Sequence, residues 1–361
     1  MADRREARLA ALRAALVAQA VDGILLTNLA NVRYLTGFSG SNALVAVTAS
    51  RILLITDFRY QTQVKEEVGD FAQVTIDLAS VWNALWRALP ELGVTTMAFE
   101  SAQLPHREFA QLLQKGERFT WRPTVDVVEA LRERKDADEI AAITRAAKVA
   151  TSALERTLPQ VRAGLSELQL AGILEKELRD GGSTGFPFET IVASGERAAL
   201  PHARASARKV AKGEFLLFDF GAVVDGYVSD VTRTFVTGKA TAEQREFYDV
   251  VREANARASA GVRPGMAGRD ADALARSYIE GRGFGELFGH GLGHGIGLEV
   301  HEAPRLARTA DGLLAGGAVV TIEPGLYRPG WGGVRIEDDV VLDGASPRIL
   351  TEFPRQLMEL A

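Results

Sequence analysis

A run of alternating glycines is the feature that most constrains what this chain can fold into. Glycine fills every second position from Gly289 to Gly297, and a helix is disfavoured there because each interior glycine costs about 1 kcal/mol relative to alanine. In an extended strand, one face of this run would be bare backbone that a ligand or another chain segment can approach. The other face would carry His290, Leu292, His294 and Ile296. Because His301 follows closely, three of the five histidines lie here, which favours a functional site over a glycine-rich loop with core histidines.

The composition excludes several classes of protein. The 361 residues suggest two domains, and 47% hydrophobic with 25% charged residues is typical of a globular chain. A net charge of −5, with lysine and arginine spread throughout, gives no footprint for nucleic acid. The absence of cysteine excludes disulfides and thiolate sites, and it fits a cytoplasmic location. Residues 1–13 lack the apolar core of a signal peptide, and no uncharged apolar run approaches ~20 residues, so we expect no membrane segment.

The pattern of predicted elements changes near Asp126, which we take as a domain boundary. Residues 1–125 predict a small mixed α/β domain. It begins with an amphipathic helix at 4–20 that places Leu9, Leu12, Leu16 and Val17 on one stripe, followed by strands at 24–26, 42–47 and 51–56. Residues 126–361 combine long helices with mostly antiparallel strands. The predicted fold class is therefore α+β, with a smaller α/β domain at the N-terminus.

Two aspartates are predicted to share one face of an apolar hairpin. Asp219 lies in an apolar strand, Asp225-Gly226 is a hairpin-turn dipeptide, and Asp230 lies in the return strand. With that turn, Asp219 faces Thr232, and the two aspartates become diagonal neighbours. Two acids on such a face repel each other unless something positive lies between them. A metal ion is the natural solution.

A second hairpin offers two glutamates. Glu323 ends an apolar strand, and Glu337 lies in the return strand after a glycine-rich turn. Each glutamate is seven residues from Gly330, so a hairpin centred there brings them together. Asp338 and Asp339 compete with Glu337 as candidate ligands.

The two hairpins and one histidine of the glycine-rich run together indicate a dinuclear metal site. Two aspartates, two glutamates and a neutral histidine carry a formal charge of −4, which two divalent cations balance. Oxygen-rich ligation with one nitrogen suits Mn²⁺, with Co²⁺ or Zn²⁺ as substitutes. Two metals can lower the pKa of a shared water and stabilise a tetrahedral intermediate. The pattern therefore indicates hydrolysis without a covalent enzyme intermediate.

These stretches resemble the pita-bread metallopeptidases, which include methionine aminopeptidase, aminopeptidase P and prolidase. The matching segments are 217–234, 288–302, 321–327 and 333–338. Segments 31–38 and 56–60 resemble the N-terminal domain of the Xaa-Pro branch, which methionine aminopeptidases lack. The resemblance implies a creatinase/prolidase-type N-terminal domain at 1–125 and a pita-bread (creatinase/aminopeptidase) catalytic domain at 126–361. It also implies a homodimer or homotetramer formed through the N-terminal domains.

The resemblance also implies a role for each candidate ligand. Asp219 should hold one metal through both of its oxygens, and Asp230 and Glu337 should bridge the two metals. His294 and Glu323 should complete the coordination of the second metal.

Further residues are implied to act on the substrate. Glu323 should take and relay the proton of the attacking water, and His202 or His301 should stabilise the developing oxyanion. Three more residues are implied or proposed to contact the substrate: His290, Arg335 and Arg305.

An Xaa-Pro bond suits this chemistry because its nitrogen carries no proton for a peptidase to grip. A strict Xaa-Pro dipeptidase also needs a cation for the free carboxylate after proline, and Arg305 is the candidate. Between Arg305 and Glu323 the sequence shows no second cation dedicated to that carboxylate and no insertion that would block longer peptides. We therefore expect an aminopeptidase P type enzyme, with Xaa-Pro dipeptidase (prolidase) as the alternative. A non-catalytic pita-bread module that binds peptides or proteins is the alternative of another class, and the intact ligand set favours an enzyme.

Overall fold

The computed structural model describes residues 4–344 and 346–361. Residues 1–3, at the start of the charged N-terminal segment, and Ala345 lie outside the described residues. The chain divides into two compact units that meet in sequence between Arg132 and Glu133, slightly beyond the boundary predicted at Asp126. Within the described residues, no helix is long and apolar enough to cross a membrane.

The N-terminal unit is a mixed six-stranded sheet with the strand order β4-β3-β2-β1-β5-β6. Its strands are β1 (Gly23–Leu26), β2 (Ala43–Thr48), β3 (Ile52–Asp57), β4 (Gln73–Asp77), β5 (Thr96–Glu100) and β6 (Thr120–Thr124). Its helices are α1 (Arg5–Ala18), α2 (Leu29–Thr36), α3 (Gln61–Glu67), α4 (Val81–Ala88), α5 (His106–Lys115) and α6 (Glu129–Arg132), with 3₁₀ turns at Phe58–Tyr60 and Leu89–Leu92. The predicted hairpin is confirmed, because β2 and β3 pair antiparallel around residues 49–51.

Helix α1 shows one error in the predicted apolar stripe. Leu9, Leu12 and Leu16 are buried as predicted, whereas Val17 is 77% exposed. A spacing of one residue turns a helix by about 100°, so the side chain after Leu16 points away from the buried face.

The C-terminal unit has long helices and mainly antiparallel strands, as predicted. Its helices are α7 (Ala137–Thr157), α8 (Glu167–Asp180), α9 (Ala242–Gly261) and α10 (Gly268–Gly281), with 3₁₀ turns at Leu158–Gln160, Gly195–Ala199 and Gly285–Leu287. Its first strands are β7 (Ile191–Ser194), β8 (Phe215–Phe220), β9 (Val223–Val224), β10 (Tyr227–Val228) and β11 (Val231–Thr237). The remaining strands are β12 (Gly293–Gly295), β13 (Glu302–Leu306), β14 (Val319–Ile322), β15 (Gly325–Arg328), β16 (Gly332–Arg335), β17 (Asp338–Val341), β18 (Arg348–Ile349) and β19 (Glu359–Leu360).

Two main sheets form the framework of this unit, with the orders β19-β11-β8-β7 and β13-β12-β14-β17-β18. Two short ribbons, β9 with β10 and β15 with β16, extend from them. Buried apolar side chains fill the space between the strands and the helices: one cluster includes residues of α9 and α10, and another includes residues of α7 and α8. The apolar faces of the helices therefore pack against the sheets.

Both predicted hairpin registers are confirmed. Asp219 pairs with Thr232 across β8 and β11. The turn residues Asp225 and Gly226 have φ of 50° and 77°, as a two-residue turn with two left-handed positions requires. In the other hairpin Gly325 pairs with Arg335, and the same register places Glu323 opposite Glu337.

The glycine-rich run forms a shorter strand than predicted. Only Gly293–Gly295 is regular strand, and the pairing with β13 shifts register between His294 and Gly295. The predicted close approach of backbone is confirmed, because a Cβ added to Gly293 would lie 2.0 Å from the carbonyl oxygen of Thr321. A Cβ added to Gly295 would lie 2.0 Å from that of Ala303. Backbone packs closely here while the register shifts, so the regular ladder stays short.

Candidate metal centre

Ligand-type atoms from three separate strand regions meet in the C-terminal unit. One such atom each from Asp230, His294 and Glu337 lies within 4.8 Å of the other two. The Nε2 atom of His294 is 3.5 Å from Oε1 of Glu323 and 3.9 Å from Oδ2 of Asp230. Asp219 lies beside this group on β8, opposite Thr232, and burial first and then the charge of Asp219 raise the pKa of Asp230. The structure therefore brings all five predicted ligands together.

His294 is oriented as a metal ligand. Its Nδ1 lies 3.1 Å from the carbonyl oxygen of Gly295 and donates to it, which leaves the Nε2 lone pair facing the carboxylates. Burial lowers the pKa of His294 to about 4. The imidazole is therefore neutral near pH 7, as a metal ligand must be.

The carboxylates show the charge imbalance that a cation would relieve. Burial raises the pKa of Asp219, Asp230, Glu323 and Glu337, and the neighbouring acids raise those of Asp230 and Glu337 further. The Oδ1 atoms of Asp219 and Asp230 are buried and accept no hydrogen bond from any residue that the structure describes. Since buried polar atoms normally have partners, a pair of divalent cations fits this donor set.

Arg335 lies inside the cluster and connects it to two other side chains. Its Nη2 donates to Oδ2 of Asp219, and its Nη1 donates to the hydroxyl of Tyr327 over 2.8 Å. Because Nδ1–H of His290 donates to the carbonyl oxygen of Gly291, its Nε2 accepts from the Tyr327 hydroxyl, 2.9 Å away. Burial first, and then the charge of Arg335, lowers the pKa of His290 to about 4. His290 is thus a neutral acceptor held by Tyr327.

Tyr327 was missed by the sequence analysis. The one sign of its role in the sequence was its position in the same hairpin as Glu323. It lies four residues after that acid and pairs with Gly333 across the hairpin. Sequence spacing gives no sign that an arginine from the opposite strand reaches its hydroxyl.

Asn255 was also missed, and it holds the backbone beside both glutamates. It is fully buried on α9, and its Nδ2 donates to the carbonyl oxygens of Ile322 (2.9 Å) and Ile336 (3.1 Å). These residues immediately precede Glu323 and Glu337. The side-chain amide of Asn255 therefore holds the backbone in place immediately before Glu323 and Glu337.

The three consecutive acids, 337–339, differ in their partners. Asp338 accepts from Arg233 and Arg355 over 2.7 Å each and from Thr351 over 2.9 Å. Although burial raises the pKa of Asp338, these partners lower it below its usual value. Asp339 accepts the backbone N–H of Asp230 over 3.1 Å. Glu337 alone of the three belongs to the group with Asp230 and His294.

Three predicted substrate residues lie on the exposed side of the site. His202, His301 and Arg305 are exposed, and the ring centroids of His301 and His294 are 4.4 Å apart. Burial first, and then the charges of His202 and Arg305, lowers the pKa of His301. His301 therefore lies against the proposed ligand His294, within the electrostatic range of His202 and Arg305.

The short loop that carries His301 is attached to the unit by a buried ion pair. Nζ of Lys135 lies 3.1 Å from Oε2 of Glu302, and the two side chains are 1% and 6% exposed. The other oxygen of Glu302 accepts the backbone N–H groups of Leu298 and Glu299 over 2.9 and 3.0 Å. Glu302 thus stabilises the loop through hydrogen bonds to the loop's own backbone, and its ion pair with Lys135 connects the loop to the segment before α7.

Replacing Lys135 with methionine should destabilise the C-terminal unit by about 3 kcal/mol, because Glu302 would remain charged, buried and without this cation. The melting temperature should fall by roughly 5–10 °C in a thermal scan. Lys148→Met, at an exposed position of α7, is the matched control and should change it by less than about 2 °C. Equal melting temperatures for the two variants would show that the pair adds nothing to stability.

Two family models match the chain in this arrangement. Residues 141–343 match the model of metallopeptidase family M24, and residues 8–134 match the creatinase/prolidase N-terminal domain. The M24 match contains all five predicted ligands.

Similar proteins match along nearly the whole chain. The solved structure of an Xaa-Pro dipeptidase from Bacillus anthracis superposes with a TM-score of 0.94 at 39% identity, covering 99% of this chain and 100% of that one. An Xaa-Pro dipeptidase from Pyrococcus horikoshii is 33% identical over 340 residues, 94% of this chain and 95% of the relative. The structure of an X-Pro aminopeptidase from Thermotoga maritima gives a TM-score of 0.91 at 35% identity, covering 98% of this chain and 99% of that one.

Proposed function

Because this chain belongs to metallopeptidase family M24 and is a metal-dependent peptidase, we propose that it is an Xaa-Pro dipeptidase. The proposed substrate is a dipeptide with proline in second position, cut into a free amino acid and proline. The sequence alone favours an aminopeptidase P type enzyme, and the similar proteins support the alternative, an Xaa-Pro dipeptidase, better.

The observation that carries the proposal is the position of Arg305. Across β12 and β13, Arg305 is the direct partner of His294. Directly paired residues project to the same face of a sheet, with Cβ atoms about 5 Å apart. Arg305 is exposed and makes no ion pair within the part of the chain that the structure describes. A free guanidinium beside the proposed metal ligands is suited to bind the carboxylate of a substrate that ends at proline.

We assign the metal ligands as the resemblance implies: Asp219, Asp230, His294, Glu323 and Glu337. When bound, two divalent cations would supply Lewis acidity and lower the pKa of the attacking water. The preference for Mn²⁺ rests on the oxygen-rich donor set. The homodimer or homotetramer and the cytoplasmic location remain predictions from the sequence.

The surrounding side chains would orient the substrate and handle its protons. Glu323, whose carboxylate lies 3.5 Å from His294, would accept the proton of the attacking water. His202 and His301, both exposed, would donate hydrogen bonds to the developing oxyanion. Because the scissile nitrogen of an Xaa-Pro bond has no proton, all of these contacts act on the carbonyl side or on the substrate termini.

The aminopeptidase P type activity remains the second candidate. The X-Pro aminopeptidase from Thermotoga maritima is similar over almost the full length. For this activity, the chain of a longer peptide would have to pass the exposed Arg305.

A peptide panel tests the proposal directly. The chelated protein should be inactive, and addition of Mn²⁺ should restore hydrolysis of an Xaa-Pro dipeptide. The value of kcat/KM for the dipeptide should exceed that for the matching Xaa-Pro-Xaa tripeptide more than about tenfold, equivalent to ~1.4 kcal/mol of transition-state binding. An Xaa-Ala dipeptide is the control for proline. A preference for the tripeptide would favour the second candidate, and full activity of protein shown to be metal-free by elemental analysis would refute both.

A further inference from the structure

Thr232 occupies a connecting position between two charged residues of the site. It is fully buried on β11, and its Oγ1 lies 3.0 Å from Nε of Arg335 and 2.6 Å from Oε2 of Glu337. We propose that Thr232 is a positioning residue that orients Glu337 for metal binding. This inference rests on the proposed function only through the assignment of Glu337 as a ligand.

The direction of the two hydrogen bonds follows from their chemistry. Arginine has donors only, so Nε–H of Arg335 must donate to the Thr232 oxygen. The single hydroxyl proton of Thr232 is then available for Glu337, whose carboxylate accepts it. An O–H group that donates to a charged carboxylate makes a stronger hydrogen bond than a neutral pair does. Oε2 of Glu337 is therefore held by this bond, which limits the rotation of the carboxylate.

Thr232 holds Glu337 through its backbone as well. The backbone N–H of Glu337 donates to the carbonyl oxygen of Thr232 over 3.1 Å. Arg335, the other partner of the hydroxyl, also donates to Asp219. The hydroxyl thus completes a hydrogen-bond network that runs from Asp219 through Arg335 to Glu337. This network connects acids that belong to different hairpins. If it were lost, Nε of Arg335 would be buried without this acceptor and the carboxylate of Glu337 would lose this donor.

Thr234 provides a matched control on the same strand. It is also buried and projects to the same face, two residues along β11. Within the described residues, its hydroxyl hydrogen-bonds only to backbone atoms of Arg335: it donates to the carbonyl oxygen over 3.0 Å and accepts from the N–H over 3.2 Å. A change from threonine to valine at either position removes a buried hydroxyl at constant shape, but only the change at 232 removes a contact to a side chain of the site.

The test measures Mn²⁺ binding to chelated protein by calorimetric titration, with the bound metal counted by elemental analysis. Thr232→Val should weaken Mn²⁺ binding roughly 10–100-fold, the usual effect of losing a group that orients a metal ligand. Thr234→Val should stay within about threefold of the parent protein. Equal affinities in the two valine variants would overturn the inference.

A second pair of variants covers the case in which Thr232→Val does not fold. Thr232→Ser keeps the hydroxyl and Thr232→Ala removes it, and both lose the methyl group. The serine variant should bind Mn²⁺ about tenfold more tightly than the alanine variant, and equal binding would overturn the inference. Because binding is measured without peptide, failure of the proposed function appears separately, as normal metal binding by a parent protein that cleaves no Xaa-Pro peptide.

Discussion

Asp230→Ala should leave a folded protein that no longer retains its metals and cleaves Xaa-Pro peptides at least about 10³-fold more slowly, a loss of ~4 kcal/mol. Asp230 contributes a ligand atom to the group with His294 and Glu337, and its Oδ1 is buried without a hydrogen-bond partner in the described chain. Elemental analysis and kcat/KM on the same preparation measure the two effects.

The same substitution should not destabilise the chelated protein. Burial and the charges of Asp219, Asp339 and Glu323 raise the pKa of Asp230, so its removal relieves repulsion in the metal-free state. We expect a melting temperature no lower than that of the chelated parent, and Mn²⁺ should raise the melting temperature of the parent alone. A large loss of stability in the chelated variant would show that Asp230 also has a structural role.

His301→Ala is the informative comparison for Asp230→Ala. His301 is exposed and its ring lies against that of His294, while its proposed role is confined to the transition state. The variant should keep its metals and lose mainly kcat. If both variants lost metal equally, His301 would be a ligand and the assignment of five ligands would be wrong.

Arg305→Ala should lower kcat/KM for an Xaa-Pro dipeptide by about 10²-fold, which corresponds to ~2.7 kcal/mol of charge-assisted hydrogen bonding. The reason is the loss of the guanidinium that projects beside His294 and that we propose binds the terminal carboxylate. The same dipeptide with a C-terminal carboxamide is the diagnostic substrate. The parent protein should strongly prefer the free acid, and the variant should cleave the acid and the amide at similar rates.

Arg308→Ala is the control for Arg305→Ala. Arg308 is a nearby exposed arginine whose Nη2 pairs with Glu280 on α10 at 2.6 Å, away from the proposed ligands. Its removal should leave the preference for the free acid unchanged. An unchanged preference in Arg305→Ala as well would place the carboxylate-binding group elsewhere.

The parts of the site that follow from local rules were predictable from the sequence. Asp225-Gly226 sets the register of its hairpin, and this register alone places Asp219 opposite Thr232. The turn at Gly330 does the same for Glu323 and Glu337. In both cases the position of the turn fixes the strand register. Because side chains alternate along a strand, the register then predicts which acids lie on the same face.

The parts that depend on distant packing were not predictable in this way. The glycine-rich run has the composition of a long strand, but its pairing shifts after His294 because neighbouring backbones approach from both sides. The negative charge of Asp338 is balanced by Arg233 and Arg355, which belong to other parts of the chain. Likewise, no local pattern indicates that Arg305 is the partner of His294, a pairing on which the proposed dipeptidase activity rests.

The partners of Asp338 have a consequence for the order of events during synthesis. All five proposed ligands leave the ribosome before Thr351 and Arg355, which lie further along the chain. Until these two residues fold onto Asp338, Arg233 is its charged partner. A segment that contributes no proposed ligand therefore completes the set of partners that holds Asp338 outside the group of proposed ligands.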